Sequence, residues 1–259
     1  ENLDYIGSFG QTGSGPQELR GVLSVAIDLK DSIIGVYDFS RKKSVLFNKS
    51  FESYSEVNKI LNGLGQIAIS ESRLYSKSNN PDYLFYQTNL IEKNHTLFGI
   101  PFDNSLNEPD LSFFIHAEEL YVLTTQNDLI LRKYDSQMQL AWEKNLFNHE
   151  FLIKWKQSLN IDQLINSSDA NVKRAQILAM DSELINNKLY ILLPQIIIKD
   201  KNYPNLLLEI ELLQDNKNMK IYKVQESDED NFSSFTIVEN TFYGYSPGSG
   251  AIYTRAINE

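Results

Sequence analysis

The sequence predicts an all-β protein, a β-propeller of four-stranded antiparallel blades, with five blades by count and six as the alternative. A pattern of two neighbouring strands recurs five times along the 259 residues. Two further strands follow most copies, which extends each copy to a four-stranded sheet. The last copy is one strand short, and a strand near the N terminus belongs to no copy. Pairing that strand with the last sheet would close a ring of blades.

Each copy is an apolar run, a short polar turn, and an apolar or aromatic pair that opens a second run. The copies are Ser24–Asp38, Gln66–Ser78, Ser112–Thr124, Gln176–Leu193 and Ser234–Ser246. A continuous apolar first run is typical of a strand that is buried on both faces. The second run alternates more between apolar and polar residues.

The further strands follow the copies in order. They are predicted at Lys43–Asn48, Tyr83–Thr88, Thr96–Ile100, Leu129–Tyr134, Gln139–Lys144, Asn205–Glu211, Met219–Val224 and Ala251–Ile257. After the first copy a fourth strand is not evident. There the apolar positions from Val57 to Leu64 predict a short helical turn that ends near Gly63.

The N-terminal strand, Leu3–Phe9, is predicted to form the missing edge of the last blade. The following Gly10, Gly13 and Gly15 adopt turn conformations easily, and Pro16 stiffens the exit. Closure would also cover a sheet edge that could otherwise pair with another chain. The prediction is therefore one propeller domain, residues 1–259, with five unrelated strand pairs in a sandwich as the alternative.

One helical insertion is predicted near residues 146–174. A sixth blade could lie within Asn145–Arg174, but its apolar residues fit a helix better. They fall on one helical face, at Phe147, Phe151, Leu152, Trp155 and Leu159.

Composition excludes several classes of protein. The net charge of -10 argues against nucleic acid as the main partner, because binding phosphates needs a basic face. The absence of cysteine excludes disulfides, thiolate metal sites and a cysteine nucleophile. No apolar run approaches the length of a membrane helix. Glu1 follows no charged and apolar leader, so we expect a signal peptide to be absent or already removed.

Two motifs near the N terminus resemble a known family. The segment from Gly10 to Leu19, GQTGSGPQEL, resembles the glycine-proline turn of NHL-type propeller repeats. The segment from Val36 to Phe47, VYDFSRKKSVLF, is similar to their valine-aspartate, basic and apolar-phenylalanine strand pair, with Ser44 in place of the usual isoleucine. Beyond Phe47 the chain is similar to the general blade pattern of TolB-like and NHL-like propellers of exported bacterial lipoproteins.

The resemblance implies an exported location, in the periplasm or on the outer-membrane surface of a bacterium. An acylated cysteine just before Glu1 would fit such a family and would provide a lipid anchor. These families are usually six-bladed, whereas the strand count here gives five.

The loop lengths predict which end of the propeller binds a ligand or partner. In an antiparallel meander, the turns after strands one and three lie at one end, and the turn after strand two and the link to the next blade lie at the other. The second set contains the long segments: Ser76–Asp82, Pro101–Asp110, Asn145–Arg174 and Pro194–Pro204. Long segments rarely persist in compact domains without a binding or lid role. We therefore expect a ligand or partner at this long-loop end.

The candidate ligand-binding residues lie in these segments and turns: Arg41, Tyr83, His149, Trp155, Lys201 and Tyr203. Four of the six have a structural alternative. Arg41 with Asp38 would brace its own turn, and Trp155 would pack beneath its helix. The segment that holds Lys201 and Tyr203 would form a hairpin that covers its neighbour.

No catalytic motif stands out, and no catalytic residue, metal ligand or cofactor is predicted. His149-Glu150 begins a zinc-binding pattern, but Ile153 occupies the place of the second histidine. The loop assignment puts His116 and His149 at opposite ends, which separates two of the three histidines. The sequence has no nucleophile elbow, phosphate loop or dinucleotide fingerprint.

The leading hypothesis is an exported, non-enzymatic binding or scaffold propeller that engages a protein, peptide or glycan through its long-loop end. The alternative is a propeller hydrolase or lyase with a metal at the channel mouth. A third possibility is an architectural subunit of an envelope complex. The oligomeric state and the identity of the ligand stay open.

Overall fold

The structure is a computed structural model, and the statements below concern the residues that it describes. These are residues 10–13, 15, 18–28, 30–58, 66–78, 80–102, 111–125, 128–158, 178–194, 196–198, 201–212, 219–224 and 231–257. The predicted N-terminal strand, Leu3–Phe9, lies outside them.

In the described part of the chain, five antiparallel sheets of three or four strands follow one another, and a sixth sheet has only two strands. Blade 1 contains β1 (Val22–Asp28), β2 (Ile33–Asp38), β3 (Lys43–Phe47) and β4 (Ser53–Asn58). Blade 2 contains β5 (Ile67–Ser70), β6 (Arg73–Lys77), β7 (Phe85–Asn89) and β8 (His95–Phe98). Blade 3 contains β9 (Leu111–His116), β10 (Glu119–Thr124), β11 (Ile130–Tyr134) and β12 (Leu140–Asn145).

The second half of the chain continues this order. A 3₁₀ helix (Leu146–Asn148) and helix α1 (Glu150–Ser158) follow blade 3. Blade 4 begins with β13 (Asp181–Ile185) and β14 (Lys188–Leu193), and a small hairpin of β15 (Ile196–Ile198) and β16 (Lys201–Tyr203) follows. Blade 4 is completed by β17 (Leu206–Glu211) and β18 (Met219–Lys223), and blade 5 contains β19 (Ser234–Val238), β20 (Thr241–Ser246) and β21 (Ala251–Ala256).

This organisation is that of a five-bladed β-propeller, as predicted. Four sheets have four strands, and the last has three among the described residues. The strand that would complete blade 5 is the predicted Leu3–Phe9, so the closure of the propeller stays a prediction. The predicted helical insertion near 146–174 is helical over the part that the structure describes, up to Ser158.

The prediction of a helical turn beginning at Val57 is wrong at that residue, since Val57 belongs to strand β4. Strand β4 reads Ser-Tyr-Ser-Glu-Val-Asn, and Val57 pairs with Ser44 of β3. The strand is an outer edge with few apolar residues, so its sequence carries only a weak strand signal. The hydrogen bonds offered by β3 decide its conformation instead.

Tight turns join the first and second strands of most blades. In blades 2, 3, 4 and 5 the turn has two residues, and both have positive φ: Glu71 and Ser72, Ala117 and Glu118, Asn186 and Asn187, Glu239 and Asn240. Type I′ turns require this conformation, and their twist matches that of the strands they join. The repeated polar turn in the sequence thus becomes a repeated backbone geometry.

The chain divides into two compact units. Unit 1 contains residues 1–121 and 134–141, and unit 2 contains residues 122–133 and 142–259. The division passes through the strands of blade 3.

The core of unit 1 includes the contact between blades 1 and 2. Apolar side chains from both blades form one buried cluster: Ala26, Ile33, Tyr37, Leu46, Ile67, Ile69 and Leu74. Gly35 lies in the middle of β2, where a Cβ atom would come within 2.3 Å of Ile69 Cδ1. Blade 2 can approach β2 this closely because residue 35 has no side chain.

The core of unit 2 includes the contact between blades 4 and 5. Its buried cluster is rich in aromatic rings: Tyr190, Leu192, Leu207, Val224, Phe232, Phe235 and Phe242. The rings of Phe235 and Phe242 are stacked with centroids 5.7 Å apart. Aromatic pairs of this kind add to the free energy gained by burying their area.

Candidate functional site

In each unit the long segments leave the same end of the blades. In unit 1 the Ser78 N–H donates to Leu84 O at 2.8 Å, and the Leu84 N–H donates to Gly99 O at 2.9 Å. The β6–β7 connection therefore lies beside the chain that leaves β8. The opposite ends of blades 1 and 2 carry short turns, where the Asp28 carboxylate accepts from the Glu71 N–H at 2.7 Å. We call these the long-loop end and the short-turn end.

In unit 2 the long-loop end is built on the β10–β11 turn. Thr125 O accepts from the N–H of Leu178 at 2.7 Å, which holds the chain that enters β13. Leu129 O accepts from the Leu146 N–H at 2.9 Å, which fixes the 3₁₀ helix. Helix α1 and the start of blade 4 are therefore both anchored to one turn.

His149 caps helix α1. Its Nδ1 lies 3.3 Å from the Phe151 nitrogen, whose N–H donates to it, and its own N–H donates to Leu146 O at 3.0 Å. The first N–H groups of a helix have no partner within the helix, and a cap satisfies one of them. The ring of His149 therefore caps the helix, and ligand binding by His149 stays a prediction.

Trp155 is buried beneath α1, with 6% of its surface exposed, beside the buried Leu152. The ring is therefore not presented to solvent as a stacking platform. The neighbouring Lys156 lies 3.6 Å from the Asp128 carboxylate and 4.9 Å from the centre of the Phe147 ring. These contacts hold the helix against the β10–β11 turn.

Lys201 and Tyr203 lie on the second strand of the β15–β16 hairpin. Tyr203 pairs with Ile196, and Lys201 pairs with Ile198. The hairpin follows β14, whose last residue pairs with Leu206. It therefore extends from the end of blade 4 at which β13 begins, the same end that receives the chain from α1. Their side chains are outside the described part of the structure.

Arg41 holds the glycine-rich turn at the long-loop end of unit 1. Its guanidinium Nη1 donates to Gly15 O and to Glu18 O, the latter at 2.9 Å. The buried Asp38 carboxylate accepts from the N–H of Arg20 at 2.7 Å and of Arg41 at 3.2 Å. The geometry is that of a brace, the structural alternative considered for this pair.

Tyr83 is the most accessible of the four candidates whose side chains the structure describes. Its side chain is 42% exposed, and its N–H donates to Asn80 O at 3.2 Å. Tyr83 and Arg41 both follow the second strand of their blade, so both lie at the long-loop end of unit 1. No contact joins these two side chains within the described residues.

A buried ionic cluster in blade 4 was not predicted. The Glu209 carboxylate accepts hydrogen bonds from Lys188 at 2.8 Å, from Tyr222 at 3.0 Å and from Tyr190 at 3.2 Å. Burial by itself would raise the pKa of Glu209, but these three partners outweigh it and lower the pKa below its usual value. Burial, and then the charge of Glu209, raise the pKa of Tyr190, which keeps its hydroxyl a donor.

Two acidic groups of β13 are in the opposite situation. Burial raises the pKa of Asp181 and of Glu183 above their usual values. Glu183 accepts from the Thr236 hydroxyl at 3.1 Å, whereas its Oε2 is buried with no hydrogen-bond partner among the described residues. A carboxylate in this environment is costly to ionise.

A polar groove with a volume of about 460 Å³ begins at the short-turn end of unit 1 and extends along β7 and β8 as far as Phe98. Its walls come from β6, from the hairpin of β7 and β8, and from the β11–β12 turn. Amide groups dominate the lining, at Gln87, Asn89, Asn94, Gln137 and Gln139. One feature of the sequence could have indicated this groove. The turn after the third strand carries amide side chains in both blade 2 and blade 3.

Within the described part of the chain, no group of three or more His, Asp or Glu side chains could hold a metal ion. His95 lies at the short-turn end, where its Nδ1 is 2.9 Å from Thr88 Oγ1. Over the same residues, no helix is long and apolar enough to cross a membrane.

Comparison with known proteins shows the fold alone. No protein-family model matches the chain, and no curated protein matches it. A chain from the nidogen/laminin complex is 10% identical, with a TM-score of 0.60, over 91% of this chain and 76% of that one. Hydrazine synthase of Kuenenia stuttgartiensis is 9% identical, with a TM-score of 0.60, over 91% of this chain and 64% of that one.

A third similar structure is a protein of Bacteroides fragilis classed as exported. It is 14% identical, with a TM-score of 0.52, over 93% of this chain and 70% of that one. This chain spans less than two thirds of the hydrazine synthase chain. The propeller fold is thus confirmed, and the more specific NHL-like or TolB-like membership stays a prediction.

Proposed function

We propose that this chain is an exported, non-enzymatic binding or scaffold propeller that engages a protein, peptide or glycan through its long-loop end. One observation carries the proposal. In each unit the long segments leave the same end of the blades, and in unit 2 they are built into a capped helix and a hairpin. Ordered insertions on one end of a rigid scaffold commonly form a binding surface.

The similar structures give the proposal its broad class. The nidogen/laminin complex is an assembly of two proteins, and one of its chains shares this fold. The Bacteroides fragilis protein is classed as exported, which agrees with the exported location that we propose here. A lipid anchor ahead of Glu1 belongs to the same proposal.

Photocrosslinking in the intact cell tests the proposal. A benzoylphenylalanine residue would replace Tyr83 in unit 1, or Ile153 on α1 in unit 2; their side chains are 42% and 40% exposed. Each variant is expected to crosslink to a partner, because each position lies at the long-loop end of its own unit. The partner is identified by mass spectrometry, and its binding is then measured with purified components.

The matched control places the same probe at Ile91, which is 77% exposed in the β7–β8 turn at the short-turn end. The control is expected to give no crosslink to that partner. Crosslinks that form at Ile91 but at neither long-loop position would contradict the proposal. Chemical conversion of the captured partner by the purified protein would also contradict the proposal, because the proposed role is non-enzymatic.

A further inference from the structure

We propose that the polar groove at the short-turn end of unit 1 binds a small acidic saccharide, one that carries a carboxylate. This proposal does not depend on the function proposed for the long-loop end. Its volume of about 460 Å³ is in the range of small-molecule sites. Three properties of its lining select the ligand.

The first property is an accessible guanidinium. Arg73 begins β6 and is exposed, and among the described residues no hydrogen bond or ion pair reaches its side chain. By contrast, the guanidinium of Arg41 is occupied by two carbonyl groups. A planar guanidinium binds a carboxylate with two parallel hydrogen bonds, so Arg73 supplies a place for one acidic group.

The second property is a set of side-chain amides in which one polar group is hydrogen-bonded within the protein and the other can bind a ligand. Asn89 Oδ1 accepts from the N–H of Ile91 at 2.9 Å and of Glu92 at 3.0 Å, which orients its NH₂ group. The Gln87 NH₂ donates to Tyr75 Oη at 3.2 Å, which leaves its carbonyl oxygen as an acceptor. An amide provides both donors and acceptors, as the hydroxyl groups of a saccharide require.

The acidic residue of the groove is held in place by a hydrogen bond. Asn94 Nδ2 donates to the Glu92 carboxylate at 2.7 Å. This bond fixes both side chains in the β7–β8 turn. Gln137 and Gln139 contribute further amides from the β11–β12 turn.

The third property is a rigid apolar floor. Phe98 is 8% exposed, and its ring centroid lies 5.2 Å from that of Phe85 and 6.0 Å from that of Tyr134. Met138, from the β11–β12 turn, also lines the groove. This floor is fixed by packing, and a preformed site lowers the entropy lost on binding.

Titration followed by ¹⁵N-NMR tests the inference with the full chain. The probes are D-galacturonate and D-glucuronate, and methyl galactoside and methyl glucoside serve as neutral counterparts. A uronate is expected to bind with a dissociation constant of about 1 mM, a value typical of a ligand this small. The shifted amides should include those of residues 87–98 and 136–139.

The Arg73→Gln variant should weaken uronate binding at least tenfold and leave the weak binding of the neutral glycosides unchanged. The matched control is Arg20→Gln, which removes the same charge from an exposed residue at the long-loop end. Circular dichroism confirms that both variants fold.

Three results would overturn the inference. One is the absence of binding by either uronate, and another is equal binding of uronates and neutral glycosides. The third is an Arg73→Gln variant with unchanged affinity. Each of them leaves the proposal for the long-loop end intact, because that proposal is tested by crosslinking at other residues.

Discussion

Two glutamates of blade 4 show how differently one residue type behaves at a buried and at a half-buried position. Glu209 is 3% exposed and accepts hydrogen bonds from a lysine and two tyrosines. Glu183 has a buried oxygen with no partner among the described residues. Both lie on the same face of the sheet, because each pairs in register with Tyr190. The chemistry of each carboxyl is set by its neighbours in space.

The pKa directions give opposite dependences of stability on pH. The lowered pKa of Glu209 stabilises the folded protein above the pKa of an unfolded glutamate, and this contribution is lost as the pH falls. The raised pKa of Glu183 means that the folded protein binds the proton more tightly than the unfolded chain. Its contribution to stability is therefore lost as the pH rises above the ordinary range of a carboxyl.

We expect Glu183→Gln to raise the free energy of unfolding at pH 7 by about 1 kcal/mol, because the amide carries no charge to bury. The gain should shrink at pH 4, where Glu183 is protonated in the native protein. Urea unfolding at the two pH values measures this change.

The same change at Glu209 should lower the free energy of unfolding at pH 7 by about 1–3 kcal/mol, since charge-assisted hydrogen bonds are lost. Glu239→Gln, in the exposed β19–β20 turn, is the control and should have little effect. Equal effects at positions 183 and 209 would show that the two environments do not differ as described.

At the scale of the element, the turns between the first two strands of a blade are the most regular feature. Four blades use two residues of positive φ there, and none of these residues is glycine. The left-handed region is sterically unfavourable for residues with a Cβ atom, and the free-energy cost is smaller for asparagine than for most others. The Asn186-Asn187 turn of blade 4 is thus the most favourable of the four, and Ala117-Glu118 of blade 3 the least.

Replacing Ala117-Glu118 with Asn-Gly should stabilise the protein by about 1–2 kcal/mol, because both residues then tolerate the type I′ conformation. The measurement is the midpoint of urea unfolding at constant slope. The control is the same Asn-Gly pair at Ser136-Gln137, where neither φ is positive. The change should be neutral or destabilising there, and an equal gain at both sites would contradict the explanation.

At the scale of the whole molecule, the unsettled feature is the missing strand of blade 5. Blade 5 has three strands among the described residues, and β21 is its outer strand. The sequence predicts that Leu3–Phe9 pairs with this strand and makes residues 1–259 a single domain. A free outer strand is open to pairing with other chains.

Removal of residues 1–9 should therefore lower the free energy of unfolding by at least about 2 kcal/mol and increase self-association. Unfolding curves and sedimentation velocity measure the two effects. A synthetic peptide of residues 1–9, added in excess, should restore stability by adding the strand in trans. A truncated protein with the stability of the full chain would show that residues 3–9 do not complete blade 5.

The sequence by itself determined the class of fold, the number of blades and the positions of most strands. It could do so because the alternation of apolar and polar residues is local, and it repeats in every blade. It missed β4, whose polar sequence acquires a strand conformation only by pairing with β3. The sequence also shows between which strands the long segments lie, because the length of a loop follows directly from the spacing of the strands.

Only the tertiary structure showed which contacts the candidate residues make within the protein. His149 became a helix cap, Trp155 a buried packing residue and Arg41 a brace, because each found its partner in a neighbouring element. The groove around Arg73 joins segments about forty residues apart in the chain. Contacts between blades depend on distances in three dimensions, and these distances cannot be predicted from the spacing of residues along one strand.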